Sequence, residues 1–303
     1  MHIRPAIIAF IVGALCGPAI AQSAKTYADG SDGTVTLPMG DLSFADSALR
    51  YEMGNPAPIE PSRDPRAAIG PPDWESLDTP ERELTLGCGG SVVLRFEDNA
   101  LIDIEGTDLY VFEVGPDVEP TFLAISADGE TWTDIGDISG GRADVDIAPY
   151  VAQGASFSHV RLTDDGEECS GRWPGADIDA VAAIGTAERF VLSGEVLFEF
   201  DSASLRDSAR EALNATAEAI GIRALSEVRV VGHTDSRGAD DYNRQLSLDR
   251  AQAVRDWLST RPELQDVTLT TSGAGESQPT AGNDTEAGRR QNRRVELIAV
   301  PTR

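Results

Sequence analysis

Positive charge is scarce in this chain, and almost none of it is lysine: Lys25 is the single lysine in 303 residues, and the formal net charge is -26. A chain this acidic is repelled by phosphate backbones and anionic lipid, which argues against nucleic-acid binding or a membrane-surface role. Histidine is nearly absent too. Only His159 and His233 follow the first few residues, so a zinc site or a hydrolytic triad has little to build on. Cysteine is limited to Cys16, Cys88 and Cys169. Beyond the amino terminus no stretch is apolar enough to span a bilayer, so no transmembrane span is expected in the mature chain.

What is present begins with an export signal. His2 and Arg4 precede an apolar run from Ala6 to Cys16, and Ala19-Ile20-Ala21 supplies the small-x-small pattern of a cleavage site. Residues 1–21 are therefore read as a signal peptide and Gln22 as the mature start. An uncleaved anchor is the alternative, but the run is short of the ~20 residues a span needs and Gly17-Pro18 interrupts it. Removing the signal leaves Cys88 and Cys169, and an even count in an exported chain predicts a disulfide. Metal ligation is the rival for that pair, although neither has a Cys or His neighbour at zinc spacing.

Charge and pattern both change part-way along. Residues 1–190 carry 33 acids against 11 bases, whereas 191–303 carry 18 against 14. In the first part, short strand-like runs recur at Ser91–Phe96, Leu109–Val114, Phe122–Ser126 and His159–Thr163, bounded by Gly, Asp, Asn or Pro. With no amphipathic helix among them, they predict an all-β domain over 22–187. From 188 to 303 the pattern becomes βαβαβ…β, an α/β domain. Strands are expected at Val196–Phe200, Val228–Val231, Val267–Thr270 and Val295–Ile298. Helices are expected at Ser204–Ile220, opened by a capping box of Ser204 and Asp207, and at Tyr242–Leu258.

Between the second strand and second helix lies Gly232-His233-Thr234-Asp235-Ser236-Arg237-Gly238, then a run from Tyr242 to Ala251. Asp235 falls in the loop at the carboxyl end of a strand, where open α/β sheets tend to place ligand groups. Asn243 and Arg250 are seven apart, about two helical turns, and share one stripe. A carboxylate, an amide and a guanidinium could thus meet around a ligand carrying both an amine and a carboxylate. A structural Asp235–Arg250 salt bridge would use the same residues without any ligand. His233 reads as a packed loop residue, since no Ser or Cys nucleophile stands in an activating motif beside it.

At these residues the chain resembles the OmpA-like carboxy-terminal domain of outer-membrane protein A, the peptidoglycan-associated lipoprotein and flagellar stator proteins. Three ordered motifs carry the resemblance across 191–303: Phe198-Glu199-Phe200-Asp201-Ser202-Ala203, the block from Gly232 to Ala251, and Gly288-Arg289-Arg290-Gln291-Asn292-Arg293-Arg294-Val295-Glu296. The resemblance implies non-covalent binding of peptidoglycan in a Gram-negative periplasm or envelope. Asp235 and Arg250 would hold the amine and carboxylate of a diaminopimelate side chain, with Thr234, Asn243 and either Arg293 or Arg294 assisting. Neighbours on a strand face opposite ways, so one of those two arginines is expected to reach the site.

The region before it, with Ala67–Asp73, Gly89–Phe96, Ser126–Trp132 and Gly175–Val181, is similar to galactose-binding-like jelly-roll modules of bacterial cell-surface proteins. That resemblance implies a two-sheet sandwich contacting a glycan or an envelope protein. Acids at presumed loops suggest calcium at Asp103, Asp108, Asp177 and Asp179, although a solvated acidic face accounts for much of the pattern. The chain is expected not to be an enzyme. Two alternatives remain: a cell-wall-attached glycan-active enzyme using acids such as Asp177 and Asp179, and an outer-membrane barrel, which the proline-rich, acid-rich composition opposes.

Overall fold

The computed structural model describes residues 24–29, 33–76, 78–114, 119–138, 144–167 and 169–302. The expected signal peptide lies outside them. In chain order the described strands are β1 (Lys25–Ala28), β2 (Thr34–Leu37), β3 (Ser47–Glu52), β4 (Leu84–Thr85), β5 (Ser91–Arg95), β6 (Asn99–Ile102), β7 (Leu109–Glu113), β8 (Thr121–Ser126) and β9 (Thr133–Ile138). They continue with β10 (Asp144–Val145), β11 (Ser156–Phe157), β12 (His159–Asp164), β13 (Asp177–Ala183), β14 (Thr186–Ser193), β15 (Leu225–His233), β16 (Thr268–Gly275) and β17 (Arg294–Pro301). The helices are α1 (Gly194–Leu197), α2 (Ala209–Gly221), α3 (Asp240–Leu258) and α4 (Glu286–Asn292). None is long and apolar enough to cross a membrane.

The amino-terminal region is strand-rich. One sheet runs β3-β5-β12-β8-β9 and another β10-β7-β13-β4, every pairing antiparallel. Alternation explains their packing: Val92 and Leu94, Leu123 and Ile125, Val160 and Leu162 from the first sheet join Leu109, Val111, Ile178 and Val181 from the second in one buried core. The second sheet is apolar on its other side as well, where Tyr110, Phe112, Ala180 and Ala182 pack with Tyr27, Val35 and Leu37 of the β1–β2 hairpin and with Phe44. These are open sheets, so the described strands do not form the closed cylinder of an outer-membrane barrel.

The third large sheet crosses the expected boundary between 187 and 188, which falls inside β14. Its order is β11-β6-β14-β17-β15-β16. β14 pairs antiparallel with β6 through Thr186–Glu188 and with β17 through Glu188–Ser193, so main-chain hydrogen bonds join the two halves of the chain. β15 and β16 are parallel, connected by α3, and β17 is antiparallel to β15. Val228, Val230, Val295 and Leu297 face the helices and pack with Leu213, Ala217, Ile220, Val254 and Leu258. Fully burying a Leu or Val side chain contributes about 1.5 to 3 kcal/mol, so this layer holds the carboxy-terminal unit together.

Two expected elements are corrected. Residues 196–200 are not a strand: Gly194–Leu197 is one helical turn, and Leu197 and Phe198 are both buried in the same core, which strand neighbours on opposite faces could not do. The opening strand is instead β14. The next helix starts at Ala209 rather than Ser204, with no side-chain cap from Ser208. Leu205 pairs in a bridge with Phe198 and Arg206 N–H donates to Leu197 O at 2.9 Å, so the chain is still outside the helix where the capping box was expected. A short helix, α4, occupies what reads as polar loop.

Candidate functional site

The site grows from a close approach between a helix and a sheet. A Cβ at Gly232 would lie 1.9 Å from the carbonyl oxygen of Ser247, so only glycine lets α3 lie flush on β15. Ser247 Oγ then accepts from Gly275 N–H at 2.9 Å, fixing α3 against the end of β16. The stripe that results buries Asn243, Ser247 and Arg250 together. At the end of β15 the chain turns: Thr234 N–H donates to Gly275 O at 2.8 Å, and Asp235 Oδ1 accepts from Arg237 N–H at 3.0 Å.

Three further segments complete the walls. Arg250 Nε donates to Ser202 O at 2.9 Å, and its guanidinium lies 5.3 Å from the Phe198 ring centre. Tyr242 Oη donates to Asp201 Oδ1 at 2.7 Å, tying α3 to the 198–206 loop. From the end of α4, Arg293 reaches Asp235 Oδ2 at 2.5 Å, Glu195 Oε1 at 2.5 Å and Glu286 Oε1 at 2.8 Å. Together these segments enclose a solvent-open cavity of roughly 470 Å³.

Thr234, Asp235, Asn243, Arg250 and Arg293 all line that cavity. Asp235 and Arg250 are each 6 % exposed but are not paired with one another, for the aspartate's ionic partner is Arg293. Asn243 Nδ2 donates to Asp235 O at 3.3 Å and to the Glu276 carboxylate. Thr234 Oγ1 is buried without a partner. Arg294 is corrected: it does not line the cavity, but donates from Nε to Glu296 Oε1 at 2.7 Å and from Nη2 to Gln278 O at 3.1 Å. It opens β17, whose Val295 and Leu297 take the helix face and leave Arg294 and Glu296 the other.

Burial lowers the Arg250 pKa, with Asp201 and Tyr242 opposing it. Burial also lowers Arg293, yet Glu195, Asp235 and Glu286 raise it on balance. Glu286 is held down at about 2 by hydrogen bonds from Arg293 and Arg289. The cavity is thus built from a guanidinium, Arg250, that forms no ion pair among the described residues although Asp201 is near, and a cluster of ion pairs around Arg293. His233 is buried, its pKa lowered to about 3 by desolvation and then by Arg294, and neither ring nitrogen has a hydrogen-bond partner. It is a packed neutral residue.

The sequence reading missed Glu195, Phe200, Tyr242 and Glu286, which also line the cavity. Phe200 and Tyr242 lay inside quoted motifs, and a 92 % exposed phenylalanine is itself a signal once the fold is known. Glu195 and Glu286 come from separate elements and carry no local pattern. The acids expected to gather around calcium separate into two groups. Asp103 and Asp108 sit with Asp146, and Asp108 already accepts from Ile104 N–H and Ile147 N–H. Asp177 and Asp179 stand at the other end of the β7–β13 ladder, where Thr85 Oγ1 donates to Asp177 at 2.5 Å and Asp73 N–H to Asp179 at 3.1 Å. Cys88 and Cys169 form a disulfide.

The carboxy-terminal third is similar to known proteins. The family model that matches residues 197–293 is described as OmpA family. YfiB of Escherichia coli (strain K12), named as a lipoprotein, is 36 % identical over 107 residues, covering 35 % of this chain and 67 % of YfiB. The chain belongs to the OmpA family. Outer membrane porin F of Pseudomonas aeruginosa is 34 % identical over 135 residues, or 45 % of this chain and 39 % of the porin. Among solved structures, the peptidoglycan-associated lipoprotein from Burkholderia pseudomallei is 31 % identical, covering 36 % of this chain and 88 % of that one, at a TM-score of 0.29. The chain spans less than two thirds of several relatives, 39 % of porin F and 60 % of outer membrane protein A of Bordetella avium.

Proposed function

We propose that the carboxy-terminal unit binds peptidoglycan non-covalently and anchors the exported strand-rich region to the cell wall. The protein works in the periplasm or envelope of a Gram-negative bacterium. The observation that carries this reading is that Asp235, Asn243, Arg250 and Arg293 converge on one open cavity, offering both signs of charge to a single ligand. A diaminopimelate side chain carries an ammonium and a carboxylate on one carbon. Arg250, which forms no ion pair among the described residues, would take the ligand carboxylate in a charge-assisted contact, while Asp235 would take the ammonium. Arg293, already beside Asp235, would follow the carboxylate. The names of several relatives agree: ArfA of Mycobacterium tuberculosis is called a peptidoglycan-binding protein, and one solved relative is the cell wall anchor of the type VI secretion system of P. aeruginosa.

Supporting a jelly-roll sandwich for the amino-terminal region are its two antiparallel sheets around one core. The test is co-sedimentation of the mature protein with purified sacculi. Asp235→Ala and Arg250→Ala each leave a ligand charge unpaired in a buried contact, so each should weaken binding by about 2 to 5 kcal/mol. Wild-type protein remaining in the supernatant would end this reading.

A further inference from the structure

A second cavity, roughly 600 Å³, lies between the two halves of the chain. Its floor is the outer face of the β3-β5-β12 sheet, and the register defines that floor. Arg50 and Arg161 both pair with Val93, from β3 on one side and β12 on the other. Strands are about 4.8 Å apart, so these two arginines start about 10 Å apart with the valine between them. One row along β5 stands Arg95, opposite His159, and one row the other way stand the hydroxyls of Ser91 and Thr163. The wall is Trp132, over which the Arg161 guanidinium sits 4.5 Å from the ring. The roof is the Pro279–Asn283 segment of the OmpA-family unit.

Three guanidiniums on one small face of a protein with net charge -26 need an explanation. Their carboxylate partners are weak or spent. Arg50 is 3.8 Å from Glu52 and Arg161 3.6 Å from Asp134, both beyond hydrogen-bond reach, and Arg95 Nε is buried with no hydrogen-bond partner among the described residues. Asp128, at the rim, already accepts from Glu130 N–H and Thr131 N–H. Donors held in a fork with their acceptors missing are what a planar carboxylate fits. Around them are features that suit a sugar ring, namely an indole, the apolar surface of Leu49 and Val93, and two hydroxyls.

The roof is rigid. Asn292, fully buried, accepts from Thr280 N–H at 2.9 Å and Ala281 N–H at 3.1 Å, and donates to Ala281 O at 2.8 Å. The same segment is tied to the loop beside the first cavity, since Asn283 Oδ1 accepts from Ser236 N–H, next to Asp235. A ligand here would contact both halves of the chain.

We propose that this cleft is a second binding site, specific for a carboxylated saccharide. The site does not depend on the peptidoglycan reading, for it shares no lining residue with the first cavity. Isothermal titration calorimetry on the mature protein tests it with four probes: a hexuronate trimer, a muramic-acid disaccharide with a free lactyl carboxylate, the neutral hexose trimer, and inorganic phosphate. One or both carboxylated sugars should bind, at least tenfold tighter than the neutral sugar and phosphate, and the tighter of the two names the source. Arg161→Gln should weaken that binding at least tenfold. Arg50→Gln, at a side chain 72 % exposed and therefore safe for folding, should weaken it at least threefold. Both variants should still sediment with sacculi if the parent does. No binding of either carboxylated sugar, equal binding of the neutral sugar or of phosphate, or undiminished affinity in Arg50→Gln would each overturn the proposal.

Discussion

Arg293 and Arg294 are consecutive, yet they serve opposite sides of one sheet: Arg293 Nη1 lies 2.5 Å from Asp235 Oδ2 in the open cavity, and Arg294 Nε lies 2.7 Å from Glu296 Oε1 beneath it. Glu296 is buried and, against the upward push of desolvation, is held down at about 2 by Arg294 and Arg189. The two positions should therefore separate binding from stability. Arg293→Ala is expected to reduce sedimentation with sacculi while moving the melting temperature little. Arg294→Ala leaves a buried carboxylate short of its main partner and should cost ~3 kcal/mol of stability. Denaturant titration of both variants, beside the sacculus assay, checks the pair. Equal stabilities would show that Arg294 is not the partner the geometry makes it.

Phe200 makes a different prediction. It is 92 % exposed at the rim of the cavity, so the fold gains almost nothing from its ring. Apolar area left in water at a rim is recovered when a ligand covers it. Phe200→Ala should leave the melting temperature unchanged and weaken sacculus binding about tenfold, or ~1.4 kcal/mol. Unchanged sedimentation would place the bound polymer away from this rim.

These two cases also show what could be read from the chain in advance. Alternation and helical spacing located α3 closely, because Asn243, Ser247, Arg250, Ala251, Val254 and Leu258 make one continuous buried stripe. The same kind of reading failed at 196–200, where an apolar run without alternation fits a strand or a helical turn equally well. Asp235, Asn243 and Arg250 stood out because they are local in sequence. Glu195 and Glu286 did not, since only the tertiary fold brings them to Arg293. Nor could any local pattern announce that β14 would pair with β6, because strand partners distant in sequence leave no trace in either segment.

The disulfide offers a test confined to the amino-terminal region. Cys88 and Cys169 are 81 residues apart, so their bond closes a long loop between the turn before β5 and the segment after β12. Constraining a loop of that length removes much of the unfolded chain's freedom, and about 2 to 4 kcal/mol of stability should be lost in Cys88→Ser/Cys169→Ser. Sacculus binding at a temperature where both proteins remain folded should be unaffected. A melting curve identical to that of wild type would contradict the entropy argument.

Two acids, the buried Glu113 and the half-buried Asp177, stand at one end of the β7–β13 ladder. Burial raises Glu113 to about 8, with Glu119 and Asp177 adding to the rise, and burial likewise raises Asp177 to about 8. Glu113 Oε2 accepts from Glu119 N–H at 2.8 Å, but Oε1 is enclosed with no hydrogen-bond partner among the described residues. In the unfolded chain these groups would ionise near 4.5 and 3.8, so between about pH 4 and pH 8 the folded protein holds protons the unfolded one has released. Stability from this pair must then fall as pH rises through that window. His233 acts in the opposite sense: its pKa is lowered to about 3, so its contribution is lost as pH falls from about 6.5 toward 3. Glu113→Gln is neutral at every pH and should remove Glu113's share of the first effect, leaving that of Asp177 and the opposite effect of His233. Its melting temperature should exceed that of wild type by about 2 °C at pH 8.5, the size expected for about 1 kcal/mol in a protein of this length, with little or no gain at pH 5. Calorimetry at the two pH values decides it, and an equal shift at both would mean that Glu113 is already ionised in the folded state.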